Sequence, residues 1–447
     1  MIKHITFVRP ALGIGNSADA MTPLVFALLR AATPPEIEAK LIDERVEPLS
    51  IVPTDLVAIS VETFTARRAY EIAALYRAQG VPVVMGGQQP TLLPEEALEH
   101  CDSVVIGDAE GQWEQLISDA CQGKLKKRYE NGFRDARHDG VRFDRSIFEG
   151  KKYAPVQLVQ VGSGCRYACE FCSIHAFYGE SRAQRPAHEV AAEIRTLPPG
   201  RLIFFVDDNL LWRRDRFVEL MKALTPLNRM WSCQISIDVA RDDDLLDLMK
   251  KAGCRLVLIG LESLNRDNLR RMHKNWNHVA GEYEEVVEKL HARGIMLYGT
   301  FIFGYDNDCY VDFLKTAEFA KRNGFTIANF NPLTPYPGTE LYKRLEAAGE
   351  LLRPRWWVDP DFRYGDPIVN PKNMTPHDLT QGPMDARRIF YGWGSIIRRA
   401  ISGLYRWRRP KNVLILLMSN IISRREISRK QARPLSHSRA SSSRVSP

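Results

Sequence analysis

Cys165, Cys169 and Cys172 stand at Cys-x3-Cys-x2-Cys spacing directly behind Gly162, Ser163 and Gly164. Three thiolates can hold three irons of a cubane cluster and leave the fourth iron open to another ligand. The same spacing is helical, i, i+4, i+7, so the plain structural alternative is one helix face carrying small buried cysteines. Two features oppose it: an apolar, strand-like run at 156–161 precedes the segment, and the glycines mark a tight loop. Zinc is the other alternative, since a structural zinc takes four ligands and His175 is at hand as a fourth.

The elements that must position this loop alternate in two blocks. In the first, strands are expected at 5–8, 39–42, 56–61, 81–85 and 103–106, with helices near 23–30, 66–79 and 113–120. Such alternation argues for a parallel, doubly wound sheet with ligands at the carboxyl ends of the strands. The loops there are 62–65, 86–90 and 107–111, and their glycines suit close approach of a bulky ligand. In the second block, strands are expected at 156–161, 202–206, 233–237, 255–259, 295–303 and 326–330, with helices between them. Six such units make an open parallel barrel with its chemistry at the carboxyl ends. Asp207, Asp208 and Asn209 end the second strand, Ser236 and Asp238 the third, Glu262 and Ser263 the fourth, and Asn329, Asn331 and Thr334 the sixth. Each can equally cap a following helix, but their recurrence on successive strand ends favours a site.

The chain has 447 residues, 45% of them hydrophobic, ample for large cores. Its eight cysteines include one cluster of three, which suits a reducing compartment and no disulfide framework. The amino-terminal apolar run is short and reads as a strand and not as a signal peptide, so a cytoplasmic location is expected. Residues 396–447 hold thirteen Lys and Arg against Glu426 alone, a charge of +12 where the whole chain carries +8, so the remainder is mildly acidic. Ser428 to Pro447 is rich in Ser and Arg and reads as disordered. Upstream, arginines interleave with Trp393, Ile396, Ile397, Leu404, Trp407 and the run 413–418, a mixture that fits a membrane surface or nucleic acid. The bland alternative is a helical pair packed on the barrel with a solvated basic face.

The run Cys165-Arg166-Tyr167-Ala168-Cys169-Glu170-Phe171-Cys172 resembles the cluster loop of radical S-adenosylmethionine (SAM) enzymes. The resemblance implies a 4Fe-4S cluster on Cys165, Cys169 and Cys172 that binds SAM at its open iron and reduces it to a 5'-deoxyadenosyl radical. It also implies SAM contacts from Phe171 beside the adenine, from Asp207 and Asp208 at the amino group, and from Ser236 and Glu262 on later strands, with Gly260 leaving room. Core packing is the alternative for Phe171. Pro335, Pro337, Gly338 and Thr339 match the segment that closes the barrel in this family, and the aromatic residues Trp356, Trp357, Phe362 and Tyr364 behind it suggest a roof over the site.

The first block resembles the cobalamin-binding domain found upstream of many such enzymes. The resemblance rests on Gly86-Gly87-x-x-Pro90-Thr91, on Pro94-Glu95-Glu96, and on the run from Val105 to Glu110. It implies cobalamin contacts from Thr63, Thr65, Gly86, Gly87, Gln88, Gly107 and Glu110. The Asp-x-His-x-x-Gly motif of cobalamin-binding domains is absent, so no lower imidazole ligand to cobalt is supported. An ancestral shell that has lost the cofactor is the alternative, since fold does not fix function.

The resulting expectation is an α/β chain in four parts. These are a doubly wound Rossmann-like domain at 1–135, a partial (β/α)6 radical SAM barrel at 150–340, a mainly helical capping region at 341–425 and a disordered basic tail at 426–447. The function implied is a radical SAM enzyme with cobalamin, methylating an unactivated carbon of a small or lipid-like substrate. An external donor such as flavodoxin or ferredoxin would reduce the cluster. A peripheral membrane contact through the tail is the further expected partner, ahead of nucleic acid. The rival within enzymes is a radical cyclase or oxidative rearrangement without methyl transfer. From another class, the rival is a non-catalytic nucleic-acid-binding protein with a structural cluster. No catalytic side chain beyond these ligands is assigned.

Overall fold

Six parallel strands, β1 (His4–Arg9), β2 (Glu38–Asp43), β3 (Leu56–Ser60), β4 (Val83–Gly86), β5 (Ser103–Ile106) and β6 (Arg128–Glu130), pair in the order β2-β1-β3-β4-β5-β6. The computed structural model describes residues 2–12, 17–130, 140–407 and 410–436. Strands β3 and β5 are apolar except for Ser60 and Ser103 at their ends, because helices cover both faces of the sheet. On one face Phe7 stacks with Phe26 and tilts against Trp113. On the other, Ile59, Ile72 and Tyr76 pack with Trp356, Trp357 and Leu435, residues that arrive from the far end of the chain. Strand order reverses between β1 and β3, and Arg9 pairs with Glu62 across that switch point at 2.5 Å.

The second sheet holds β7 (Val156–Val159), β10 (Leu202–Phe205), β11 (Trp231–Gln234), β12 (Cys254–Glu262), β13 (Met296–Phe303) and β14 (Ile327–Pro332), neighbours in chain order and all parallel. Between β7 and β10 lies a two-stranded antiparallel ribbon, β8 (Gly162–Ser163) and β9 (Ala183–Gln184). Helices Ala187–Thr196, Arg214–Leu224, Asp243–Ala252, Tyr283–Ala292 and Tyr310–Arg322 return the chain between barrel strands and bury their apolar stripes on the outer wall.

Several boundaries differ from the sequence expectation. Strand β11 begins at Trp231 and has ended before Ser236, whose amide is held by the Asn209 side chain at 3.1 Å. Strand β12 continues through a register shift between Gly260 and Glu262. The segment expected as a loop at 86–90 turns at Gln88 into a helix, Gln88–Leu92, and Thr63–Thr65 is a 3-10 turn.

The tail also differs from a disordered segment starting at 426. Helix Pro410–Lys430 continues past that point, Pro434 bridges Arg363, Leu435 is buried in the first domain's core, and Ser436 donates to Glu71. One apolar side chain with a matching pocket is enough to dock a segment whose average composition is polar. Residues 437–447 lie outside the described residues.

Candidate functional site

The cluster loop leaves β7 at the carboxyl edge of the barrel. Asp207, just beyond β10, accepts from the amide of Val161 at 3.0 Å and from that of Gly162, and Asp208 accepts from the amide of Gly164 at 3.0 Å. Gly164 has a φ of +79°, and a Cβ there would lie 2.3 Å from the Ser181 carbonyl oxygen, so only glycine lets the loop lie against β9's approach. The Arg182 guanidinium donates to the Cys165 carbonyl at 3.1 Å, and the Cys172 amide closes a turn onto Cys169 at 3.0 Å. The segment after the turn is fixed by Glu170, which pairs with Arg344 at 2.9 Å.

Cys165, Cys169 and Cys172 are all free thiols. Cys169 feels the charge of both other cysteines, and Cys172 that of Cys165, so the three share one neighbourhood. Burial pushes the Cys169 thiol up to about 12, with Lys274 pulling it back, and burial raises Cys172 as well. Among the described residues no three His, Cys, Asp or Glu side chains close on a single-ion position. A lone zinc needs every ligand atom about 2.0–2.3 Å from one point. A cluster takes one thiolate per iron and spreads its ligands more widely. Three thiolates on one loop would give such a cluster one ligand for each of three irons.

The residues expected around SAM lie at the same end of the barrel, and several of them also bond to protein groups. Burial raises Asp207 to about 7 and Asp208 to about 6, against the pull of the loop amides they accept from. Both carboxylates are thus engaged in holding the loop's backbone. Ser236 is tied to Asn209, whose Nδ2 donates to its Oγ at 3.1 Å and lies 3.8 Å from the Cys165 sulfur. The space at Gly260 is taken by protein: a Cβ there would lie 2.1 Å from Glu262 Oε1 and 2.7 Å from Lys274 Nζ. Glu262 is buried and paired with Lys274 at 2.7 Å. Phe171 is half-buried against the barrel core, with the Lys274 ammonium 5.9 Å from its ring centre.

Sequence reasoning missed Lys274, which follows a short helix, Arg266–Arg271, and carries no motif of its own. Although burial alone disfavours its ammonium, Glu262 and then Cys169 hold its pKa above the usual lysine range. It also lies 5.1 Å from the Trp276 ring, which stacks on Tyr167 at 3.6 Å. The pair of Arg166 with Asp238, which ties the cluster loop to the third strand's end, was likewise unforeseen as a contact.

A cavity of about 200 Å³ lies between the first sheet's carboxyl edge and the cluster loop. Its wall is largely apolar, with Leu28, Leu29, Val84, Val105 and Trp113 toward the first domain and Gln160 and Phe177 toward the barrel. Gly86, Gly87, Gly107 and Glu110, four of the residues expected at cobalamin, line it. Thr63, Thr65 and Gln88 are outside it: the two threonines are buried in the 3-10 turn, and Gln88 has been drawn into its helix. Asp108 lines it too, accepting from the Tyr178 hydroxyl at 2.9 Å while its Oδ2 is buried without a partner among the described residues. Tyr178 ends helix Ser173–Tyr178, which starts immediately after Cys172, so one hydrogen bond joins cavity and cluster loop. Burial, then the Asp108 charge, raises Glu110 to about 7.

Among the described residues no histidine lines the cavity: His4 is on the far end of β1 and His100 stacks on Tyr70, while His138 lies outside the described residues. An apolar slot with backbone glycines at one wall and an unpartnered carboxylate oxygen at its rim fits part of a corrinoid, whose flat apolar ring carries amide groups. Trp356 and Trp357 do not roof the barrel. They are buried against the first domain, where Trp357 Nε1 donates to Glu96 at 2.9 Å.

Residues 159–320 match the family model described as the Radical SAM superfamily. The bacteriochlorophyllide d C-12(1)-methyltransferase of Chlorobaculum tepidum is 31% identical over 397 residues, 86% of each chain. In fold, the chain is similar to the cobalamin-dependent SAM radical enzyme OxsB solved with aqua-cobalamin, at a TM-score of 0.65 and 16% identity over 96% of this chain and 72% of that one. The radical SAM methyltransferase TsrM from Kitasatospora setae, solved with cobalamin and a [4Fe-4S] cluster, gives 0.61 and 16% over 87% and 85%.

Proposed function

We propose that this chain, which belongs to the radical SAM superfamily, is a cobalamin-dependent methyltransferase acting on a carbon of a small molecule. The observation that carries the reading is the shared boundary of two sites. The cluster loop and a corrin-compatible cavity meet through Gln160, Phe177 and the Tyr178–Asp108 hydrogen bond. The methyltransferase name of the Chlorobaculum relative supports the same reading, as do the titles of the two solved structures.

In this proposal Cys165, Cys169 and Cys172 hold the cluster, and Gly86, Gly87, Gly107, Asp108 and Glu110 border the corrinoid. Bound in those places, the cluster supplies the electron that cleaves SAM and the corrinoid supplies a transferable methyl group. The protein's own work is positional. Asp207 and Asp208 hold the loop by its amides, Asn209 couples Cys165 to Ser236, and Lys274 places a positive charge beside Cys169. SAM lies in this account against Phe171 and the ends of β11 and β12, near Ser236 and Glu262. The barrel's inward positions Tyr298, Thr300 and Asn329, which are only half-buried, face the space left for substrate, and Asn329 donates to the Tyr298 hydroxyl at 2.6 Å. The cluster's electron comes from an external donor of flavodoxin or ferredoxin type.

Anaerobic purification with a corrinoid supplied tests the reading. About four irons per chain and a corrinoid absorbance band are expected. On reduction with SAM, both 5'-deoxyadenosine and S-adenosylhomocysteine should form when a methyl acceptor is present, and a tetrapyrrole belongs in the acceptor panel because the Chlorobaculum relative acts on one. A full cluster without corrinoid, producing 5'-deoxyadenosine and no S-adenosylhomocysteine, would reject methyl transfer in favour of a cyclase or rearrangement.

A further inference from the structure

Six of the twelve large hydrophobic side chains exposed among the described residues lie within one stretch, 393–418. They are Trp393, Ile397, Ile401 and Leu404 on helix Trp393–Trp407, and Leu414 and Met418 on helix Pro410–Lys430, each more than half exposed. Their spacing, i, i+4, i+8, i+11 on the first helix and i, i+4 on the second, puts each set on one helix face. That face is not the one used for packing. Ile396, Ala400, Trp407, Val413 and Leu416 form a separate stripe, beside the exposed one on the first helix, and pack on Met296 at the start of β13. Arg399 and Asn420 tie the hairpin down further, with bonds to the Thr326 carbonyl at 3.2 and 2.8 Å. A helix pair that is apolar on its inner face needs no second apolar face, and contiguous exposed apolar surface marks an interaction site.

We propose that this outer face of the helical hairpin seats the enzyme peripherally on an anionic lipid bilayer. The charges around the stripe select that occupant. Arg398, Lys411, Arg424 and Arg425 are exposed, and no acidic residue occurs between Asp385 and Glu426. A second copy docked face to face would bring these cations against one another, whereas anionic headgroups meet them with opposite charge. Trp393 at the edge of the stripe suits the boundary between headgroup and acyl chain. No helix among the described residues is long and apolar enough to cross a membrane, so the contact is one of lying on the surface.

The hairpin sits by the amino-terminal ends of β13 and β14, while the cluster loop sits at the opposite, carboxyl end of the barrel. Seating therefore holds the catalytic mouth away from the bilayer plane. The contact localises the enzyme without opening its site into lipid, and it stands independently of whether the reaction is methyl transfer.

The test is flotation of the full-length protein with vesicles of phosphatidylcholine alone or with one-third phosphatidylglycerol, beside the triple variant Ile397→Asp, Ile401→Asp, Leu404→Asp. These positions are exposed, and cluster absorbance reports that the variant is folded. Binding to anionic vesicles at least tenfold stronger than to neutral ones, weakened at least tenfold by the variant and by added salt, is the expected result. No binding to anionic vesicles at low salt, equal binding by the variant, or a dimer that the variant dissociates would each overturn the proposal, the last by assigning the face to a second copy.

Discussion

Glu262 and Lys274 form an ion pair at 2.7 Å with both side chains only 8% exposed, directly behind the cluster loop. Glu262 also has a φ of +63°, uncommon for a residue with a side chain, where β12 breaks register against β13. The pair and the backbone conformation are one device: the turn aims the carboxylate inward, and the lysine satisfies it.

Removing one partner should be far worse than removing both. Lys274→Met leaves a buried carboxylate unpaired and is expected to cost about 3–5 kcal/mol, whereas Lys274→Met combined with Glu262→Gln should recover most of that loss. Denaturant unfolding of the three proteins measures it. Equal stability of the single variant and the parent would mean that the pair does not form.

The cavity wall gives a second expectation. At Gly86 an added Cβ would meet Val105 at 3.5 Å, an ordinary contact, so Gly86→Ala should fold normally. Gly86→Trp should fill the cavity, lowering corrinoid content severalfold while iron content stays intact. Gly87→Ala should behave differently, losing about 1–3 kcal/mol of stability, because its φ is +99° and its Cβ would press on Val61 backbone atoms at 3.1 and 3.2 Å. Unchanged corrinoid in folded Gly86→Trp protein would remove the cavity from the account.

The neighbouring carboxyls Asp108 and Glu110 of the cavity predict a pH dependence. Burial and Asp108 raise Glu110 from 4.5 to about 7, so the folded state keeps a proton that the unfolded state has lost. Its contribution to stability is therefore fully present below about pH 4 and is lost as pH rises through 7. Glu110→Gln protein should lack that component, and its unfolding midpoint between pH 5 and 8 should fall less with pH than the parent's. Parallel curves would show that Glu110 titrates normally.

How much of this was legible in the sequence follows from range. The cysteine spacing and its flanking glycines are local, and they place the cluster loop because the loop's conformation is decided within a few residues. The strand-helix alternation likewise exposes both parallel sheets. Asp207 and Asp208 were found as a pair at a strand end, but their partners, the amides of Val161, Gly162 and Gly164, lie more than forty residues away. Lys274 meets Glu262 only because β12 bulges, and nothing in either residue's neighbourhood announces that. Thr63 and Thr65 stand in a loop of the right kind, yet a 3-10 turn buries them, a choice set by tertiary packing of Phe64 on Trp356. Leu435 docks a segment whose composition alone predicts disorder.

In the proposed function, everything depends on Cys165, Cys169 and Cys172 carrying the cluster that cleaves SAM. Its most direct test compares the anaerobically reconstituted parent with Cys165→Ala, Cys169→Ala, Cys172→Ala protein, reading iron per chain and 5'-deoxyadenosine formed on reduction with SAM. About four irons and product are expected from the parent, and loss of both together from the folded triple variant. Continued formation of 5'-deoxyadenosine by that variant would contradict it.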